Sequence, residues 1–240
     1  MLKPTISTYG ENALLLKWPT VLDAKMHAEI LAWEMLLKEQ FKNDILDLVV
    51  TYAEMALYFK NQAPIKELTT FIQTADAEIQ QSNQRKPITW TIPVCYDIEF
   101  AWDIELVAEH NKLSIAEVAA LHSAQPYRIY FTGFLPGFLY LGGLPEQIVT
   151  PRKETPRLRI PKGAVAIGGS QTGIYPNESP GGWRIIGHTP IELFDLSKTK
   201  PAPFLSGDFI QFQPVTRDEL EGIYAEIEVG AYQVMKGTHR

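Results

Sequence analysis

Residues 131–195 read FTGFLPGFLYLGGLPEQIVTPRKETPRLRIPKGAVAIGGSQTGIYPNESPGGWRIIGHTPIELFD, and their composition decides the fold of the larger part of the chain. Eleven of the sixteen glycines lie between Gly133 and Gly187, among seven prolines. Gly and Pro both oppose helix interiors, so the stretch is not helical. Nor is it composed like a disordered segment. Ile160, Val165, Ile167, Ile174, Ile185 and Ile186 recur between the turn residues, as short strands joined by tight turns require. Glycine this dense in an ordered β region marks positive-φ turns, or backbone that closely approaches something. The stretch is therefore expected to form the functional surface.

Outward from it, the flanks add strands and a few helices. Upstream, Ile88 to Cys95 alternates as a strand. Two short helices are expected over 103–110 and 114–122, the second opened by Ser114 with Glu117 three residues on, which is a capping box. Residues 125–131 read as a strand. Downstream, Ser206-Gly207-Asp208 turns into a strand over 209–213, and a last helix begins at Thr216 or Asp218 and runs to about 229.

Before residue 87 the pattern changes. Residues 5–18 read as two strands about a Gly10 turn. A helix over 22–41 follows, with Met26, Ile30, Trp33 and Leu37 on one buried stripe. Residues 45–52 and 56–59 form an apolar hairpin, and a second helix over 64–80 carries Ile65, Leu68, Ile72, Ala75 and Ile79 on one face. The polar run from Gln80 to Lys86 reads as a linker. The expected fold class is α+β: a small N-terminal α+β sandwich domain at 1–86, two helices over one antiparallel sheet, then a mostly β domain at 87–240 that closes or nearly closes as a barrel.

Bulk properties exclude several classes. At 240 residues, 45 % hydrophobic and 21 % charged, the composition is that of a globular protein with ample core. A net charge of −6 argues against general nucleic-acid binding. The single cysteine, Cys95, fits a reducing compartment and an inert buried thiol. The N-terminal residues lack a signal-peptide core, no window resembles a membrane span, and the expected compartment is the cytoplasm. The five histidines have no metal-ligand spacing, so no metal is expected.

Two nucleotide or nucleophile motifs fail. Gly168-Gly169-Ser170-Gln171-Thr172-Gly173 lacks the Gly-Lys-Ser/Thr ending of a phosphate loop and has no helix after it. It also fails as a nucleophile elbow, because Thr172 stands where the second glycine belongs. What survives is a basic cluster, Arg152, Lys153, Arg157, Arg159 and Lys162, held extended by Pro151, Pro156 and Pro161. Arg152, Arg157 and Arg159 are candidates to hold a carboxylate or phosphoryl group. Gly168 and Gly169 are candidates to present amides to it, with Tyr175, Ser179 and Trp183 nearby in sequence. Gln171, His188 and His122 are the candidate catalytic residues: Gln171 to polarise a carbonyl, either histidine as acid or base. For each of these singly, a packing role competes with the chemical one.

The segments GFLPGFLYLGGLP (133–145), PRKETPRLRIPKGAVAIGGSQTGIYP (151–176), SPGGWRIIGHTP (179–190) and LFD (193–195) resemble the KipI family, the B subunits of prokaryotic 5-oxoprolinase, also labelled allophanate hydrolase subunit 1. VCYDIEFAWDIELVAEHNKLSIAEVAALHSAQPY (94–127) and YGENALLLKW (9–18) resemble other parts of the same family. Leu139, His188 and Ala101 depart from its usual proline, arginine and glycine. The resemblance implies that the β domain is a cyclophilin-like barrel. It implies a hydrolase subunit that is inactive alone and works with a C subunit in direct contact and an A subunit. Such complexes use ATP to open the lactam of 5-oxo-L-proline to L-glutamate. It does not assign catalytic residues. Two other readings are a KipI-type inhibitor that binds a sporulation-like histidine kinase, and a carboxyltransferase-type subunit related to urea carboxylase. For the latter, biotin would have to come from another protein, since Met235-Lys236 is followed by Gly237.

Overall fold

The computed structural model describes residues 3–19, 24–75 and 85–238. The chain divides into two compact units, residues 1–85 and 86–240. Most of the linker run, the start of the first predicted helix and the end of the second lie outside the described residues.

Among its described residues, the first unit is an antiparallel sheet with two helices. Strands β1 (Thr5–Thr8), β2 (Ala13–Lys17), β3 (Ile45–Val50) and β4 (Glu54–Phe59) lie in the order β1-β2-β4-β3. Helix α1 spans Ala24–Gln40 and α2 spans Ile65–Thr74. The helical stripe read from the sequence is the one that is buried. Ile30, Trp33 and Leu37 of α1 join Leu68 and Ile72 of α2 over Leu14, Leu16, Met55 and Leu57 of the sheet. A cavity of about 430 Å³ between β1 and α2 is lined by Ile6, Leu14, Ile65 and Ile72, with Lys3 its one charged group.

The second unit is a closed barrel. Its strands are β5 (Ile88–Cys95), β6 (Tyr127–Thr132), β7 (Leu139–Gly142), β8 (Arg157–Ile160), β9 (Ala164–Gly168), β10 (Gln171–Ile174), β11 (Ser179–Gly181), β12 (Arg184–His188), β13 (Phe209–Val215) and β14 (Lys236–Thr238). The order β12-β9-β10-β7-β6-β13-β5 closes on itself where His188 of β12 pairs with Cys95 of β5. All neighbours run antiparallel except β13 and β5, which are parallel. Closure leaves no open sheet edge in the wall. The short strand β14, which the sequence pattern did not reveal, adds to the far end of β5.

Strand alternation gives the wall two apolar faces. Val165, Ile167, Ile174 and Ile186 point into the lumen, where they meet Tyr127, Ile129 and Phe212. Helices α3 (Ile104–Asn111) and α4 (Ile115–Ser123) add Ile104, Val107, Ala108 and Val118 to that core. The Ser114–Glu117 capping box forms as expected, and a second, Thr216–Glu219, opens helix α5 (Arg217–Glu228). Ala164, Ala166 and Ile185 point outward into a separate cluster with Phe138, Ile160, Tyr175 and Trp183. The two-stranded ribbon β8–β11 contributes Ile160 to this outer cluster.

Candidate functional site

The lumen is filled, and His122 is part of the filling. It is fully buried and stacks on Phe212 at 4.6 Å between ring centroids. Thr172 Oγ1 donates to the Ala166 carbonyl (3.0 Å), so it accepts from His122 Nε2–H (2.8 Å). His122 Nδ1 then accepts from the Tyr96 hydroxyl (2.7 Å). The network assigns one tautomer and leaves no unused nitrogen. Burial drives the imidazole pKa down to about 3, so the ring is neutral at physiological pH. His122, a candidate acid or base from the sequence, thus sits in the core with both ring nitrogens bonded.

The outer face is where polar and aromatic groups converge. Trp183 is 5 % exposed, and its indole lies against Gly168 and Gly173. A Cβ on Gly168 would come within 2.4 Å of the ring, so glycine there makes room for the tryptophan. Phe138 packs edge-on to both Tyr175 (5.3 Å) and Trp183 (5.5 Å), and Tyr140 stacks on Phe131 at 4.2 Å. Over the Trp183 ring lies the guanidinium of Arg152, 5.5 Å from its centroid. Burial pushes the Tyr140 and Tyr175 phenols up, and the positive Arg152 partly opposes this at both.

Backbone bonds hold Arg152 in place. Lys153 N donates to the Gly182 carbonyl (2.7 Å), and Arg184 Nε donates to the Pro151 carbonyl (3.2 Å). Gly169 N donates to the Thr150 carbonyl (2.9 Å). That last bond uses the amide which the sequence offered for anion binding. The 168–173 segment is the hairpin between β9 and β10, not a phosphate cradle.

The remaining basic residues separate. Arg157 meets Asp103 in two hydrogen bonds, Nη1 to Oδ2 at 2.7 Å and Nη2 to Oδ1 at 2.9 Å. Asp103 is 5 % exposed, also accepts from Ile185 N (2.8 Å), and has Arg184 at 3.8 Å. Arg157, a candidate anion-holding residue from the sequence, therefore neutralises a buried carboxylate and fastens the ribbon to the wall. Arg159 is exposed beside Glu178, and Lys162 pairs with Glu192. Ser179, buried on β11, turns its hydroxyl to the Pro180 carbonyl.

His188 is remote from this patch. It pairs with Ala164 while Gly168 stands four residues along the same strand, a span of about 13 Å at the usual strand rise. Its ring is stacked between Phe100 and Tyr224, and Nε2 bonds the Tyr224 hydroxyl. Burial lowers its pKa. Gln171, by contrast, lies on the strand face of Gly173 and pairs with Gly168, the two glycines that the Trp183 indole lies against. Of the candidates, the fold brings together Arg152, Gly168, Gln171, Tyr175 and Trp183. Sequence reasoning missed Asp103, Phe138 and Tyr140. Asp103 reads locally as a helix-start acid, and nothing in the sequence ties it to Arg157, 54 positions away.

Among the described residues, no group of three or more His, Cys, Asp or Glu side chains is placed to hold a metal. Among them, too, no helix is long and apolar enough to cross a membrane.

Fold and patch together define a filled, closed β-barrel domain whose polar and aromatic chemistry faces outward. Residues 4–204 match the family described as carboxyltransferase domain, subdomain C and D. The chain is 30 % identical over 225 residues to the B subunit of 5-oxoprolinase from Bacillus subtilis, covering 89 % of this chain and 94 % of the relative. It is 35 % identical over 204 residues to that of Haemophilus influenzae, covering 85 % and 94 %. The chain belongs to this carboxyltransferase family, within its branch of 5-oxoprolinase B subunits. Among solved structures, TTHA0988 is 31 % identical with a TM-score of 0.74 over 85 % of this chain, which spans only 40 % of that protein's length. The urea amidolyase of K. lactis, at 18 % identity and a TM-score of 0.80, shares the fold over 99 % of this chain and 16 % of its own.

Proposed function

We propose that the chain is the B subunit of an ATP-dependent 5-oxoprolinase, opening the lactam of 5-oxo-L-proline to L-glutamate together with A and C subunits. The family relationship supports the subunit role. The observation that carries the site is the Arg152 guanidinium over Trp183 on the outside of a barrel whose lumen is full. An outward patch is completed by a surface from another chain, which fits a subunit that is inactive alone. TTHA0988 agrees in kind, because more than half of that protein lies beyond the part this chain matches.

ATP supplies the phosphoryl group that activates an otherwise unreactive amide. Among the described residues, two of the groups that could meet it are already engaged. The 168–173 hairpin has its Gly169 amide bonded to Thr150, and Arg157 is held by Asp103. The nucleotide is assigned to a partner or to the seam with the C subunit. Here the barrel's task is to bind and orient the lactam, through Arg152, the Trp183 and Tyr140 rings, and the Gln171 carboxamide on the same face.

The test is reconstitution with partners of A and C type, omitting each chain in turn, while 5-oxoproline-dependent ATP hydrolysis is measured. Activity should require all three. Full activity without this chain would overturn the reading. A second reading follows from the family's description: carboxyltransfer, with biotin carried by another protein. Co-purification with a biotin carboxylase, in place of A and C partners, would favour it.

A further inference from the structure

We propose that Arg152 holds the carboxylate of a small cyclic-amide substrate, over the Trp183 indole, and that it is the cation of the basic cluster committed to this task. The inference rests on the functional reading above and makes its site specific.

Five cations crowd residues 152–162, and the fold sorts them. Arg157 is bound by Asp103, Arg159 lies beside Glu178, and Lys162 pairs with Glu192. Among the described residues, Arg152 and Lys153 have no acidic side chain within 4 Å, and of these two it is Arg152 that lies over an aromatic ring; Arg157 also lies over one, Trp102, but its fork is taken by Asp103. That ring cannot yield. Trp183 is nearly buried, with Gly168 and Gly173 closing on one side and Phe138 edge-on to it. A guanidinium lying over a fixed aromatic keeps its planar fork of N–H donors for a carboxylate, while the ring screens it from water. The bonds from Lys153 N, Arg184 Nε and Gly169 N fix the backbone on both sides.

The surroundings favour a carboxylate over a polyphosphate. One fixed cation matches one negative charge, whereas transferring phosphoryl groups are held by several cations and free backbone amides. The half-buried floor near Arg152 is aromatic, with Tyr140 stacked on Phe131, and suits the methylene edge of a five-membered ring.

The experiment uses the reconstituted complex with 5-oxoproline and with 2-pyrrolidinone, the same lactam without its carboxylate. Arg152→Ala should raise KM for 5-oxoproline by about tenfold or more, as loss of a charge-assisted bidentate contact does. KM for ATP should stay within about twofold. The preference for 5-oxoproline over 2-pyrrolidinone should collapse, and Arg152→Lys should restore part of it. Because the side chain is exposed, the melting temperature of the variant should match the parent. A rise in KM for ATP as large as that for 5-oxoproline, or an unchanged preference between the lactams, overturns the proposal. Saturation-transfer NMR of both lactams with the full chain alone is the independent measurement. If 5-oxoproline contact depends on Arg152 there while the parent complex hydrolyses no ATP, the functional reading falls and the carboxylate site stands. Contact that is indifferent to Arg152, or no contact in either assay, overturns the site.

Discussion

The carboxylate of Asp103, at the start of helix α3, receives both outer nitrogens of Arg157 on the ribbon β8–β11, at 2.7 and 2.9 Å. The pair joins the segment before a helix to the ribbon, whose Ile160 also packs in the outer apolar cluster. Asp103 also caps the Ile185 amide of the wall, so three elements meet at one buried group.

Removing Arg157 leaves the buried Asp103 carboxylate with only the more distant Arg184 (3.8 Å) as a cation, and removing Asp103 leaves the partly buried Arg157 without its carboxylate. Asp103→Ala or Arg157→Ala is expected to destabilise the barrel unit by about 3–5 kcal/mol. The double variant should cost less than the two single losses together, by on the order of 1–3 kcal/mol, because the residues act on one another directly. Urea unfolding of the four chains measures the cycle, and strict additivity would show that the pair is not coupled.

Stability should fall in acid through His122. Its folded pKa of about 3 lies below the ordinary 6.5, so between these values the unfolded chain binds the extra proton. The contribution of neutral His122 is complete above about pH 6.5 and is lost as pH falls toward 3, with a slope of about 1.4 kcal/mol per pH unit. His122→Gln removes the titration. Its unfolding free energy, measured against pH, should be flatter than the parent's across that window, and parallel curves would contradict the assignment.

Two adjacent glycines should respond differently to alanine. At Gly168 the new methyl would strike the Trp183 ring, and the overpacking is expected to cost about 1–3 kcal/mol and to displace the indole beneath Arg152. Gly169 has open space but a φ of +68°, so its alanine variant should lose only about 1 kcal/mol and leave Trp183 in place. Thermal melts together with near-ultraviolet circular dichroism separate the two effects.

His188 is held between aromatic rings and away from Trp183, so its role is predicted to be structural. Tyr224→Phe deletes the hydroxyl that His188 bonds, and should cost about 1 kcal/mol of stability. In the reconstituted complex, His188→Asn should keep activity within about threefold, since a lost acid or base costs about a hundredfold or more. A loss of that size would return His188 to the chemistry.

The helical stripe of α1, the β8-to-β12 region and the Ser114 capping box were legible because each is a local pattern: a period, a turn composition, a spacing of three. The family resemblance rested on the same local runs. What could not be read was which side of a strand each residue faces once the barrel closes. Gln171 and Thr172 are neighbours in sequence, yet one lies on the outward strand face and the other bonds His122 inside the lumen.

The amino-acid sequence by itself determined that residues 131–195 form strands and turns, that an α+β unit precedes them, and that a basic, glycine-rich surface lies there. Composition and periodicity settle such matters, because they act within a few residues. Only the tertiary structure decided which cation of that surface is available. Arg157 finds Asp103, Lys162 finds Glu192, and Arg152 finds an indole. Those pairings join residues some 30 or more positions apart, and closure of the barrel, not any local preference, brings them within bonding distance.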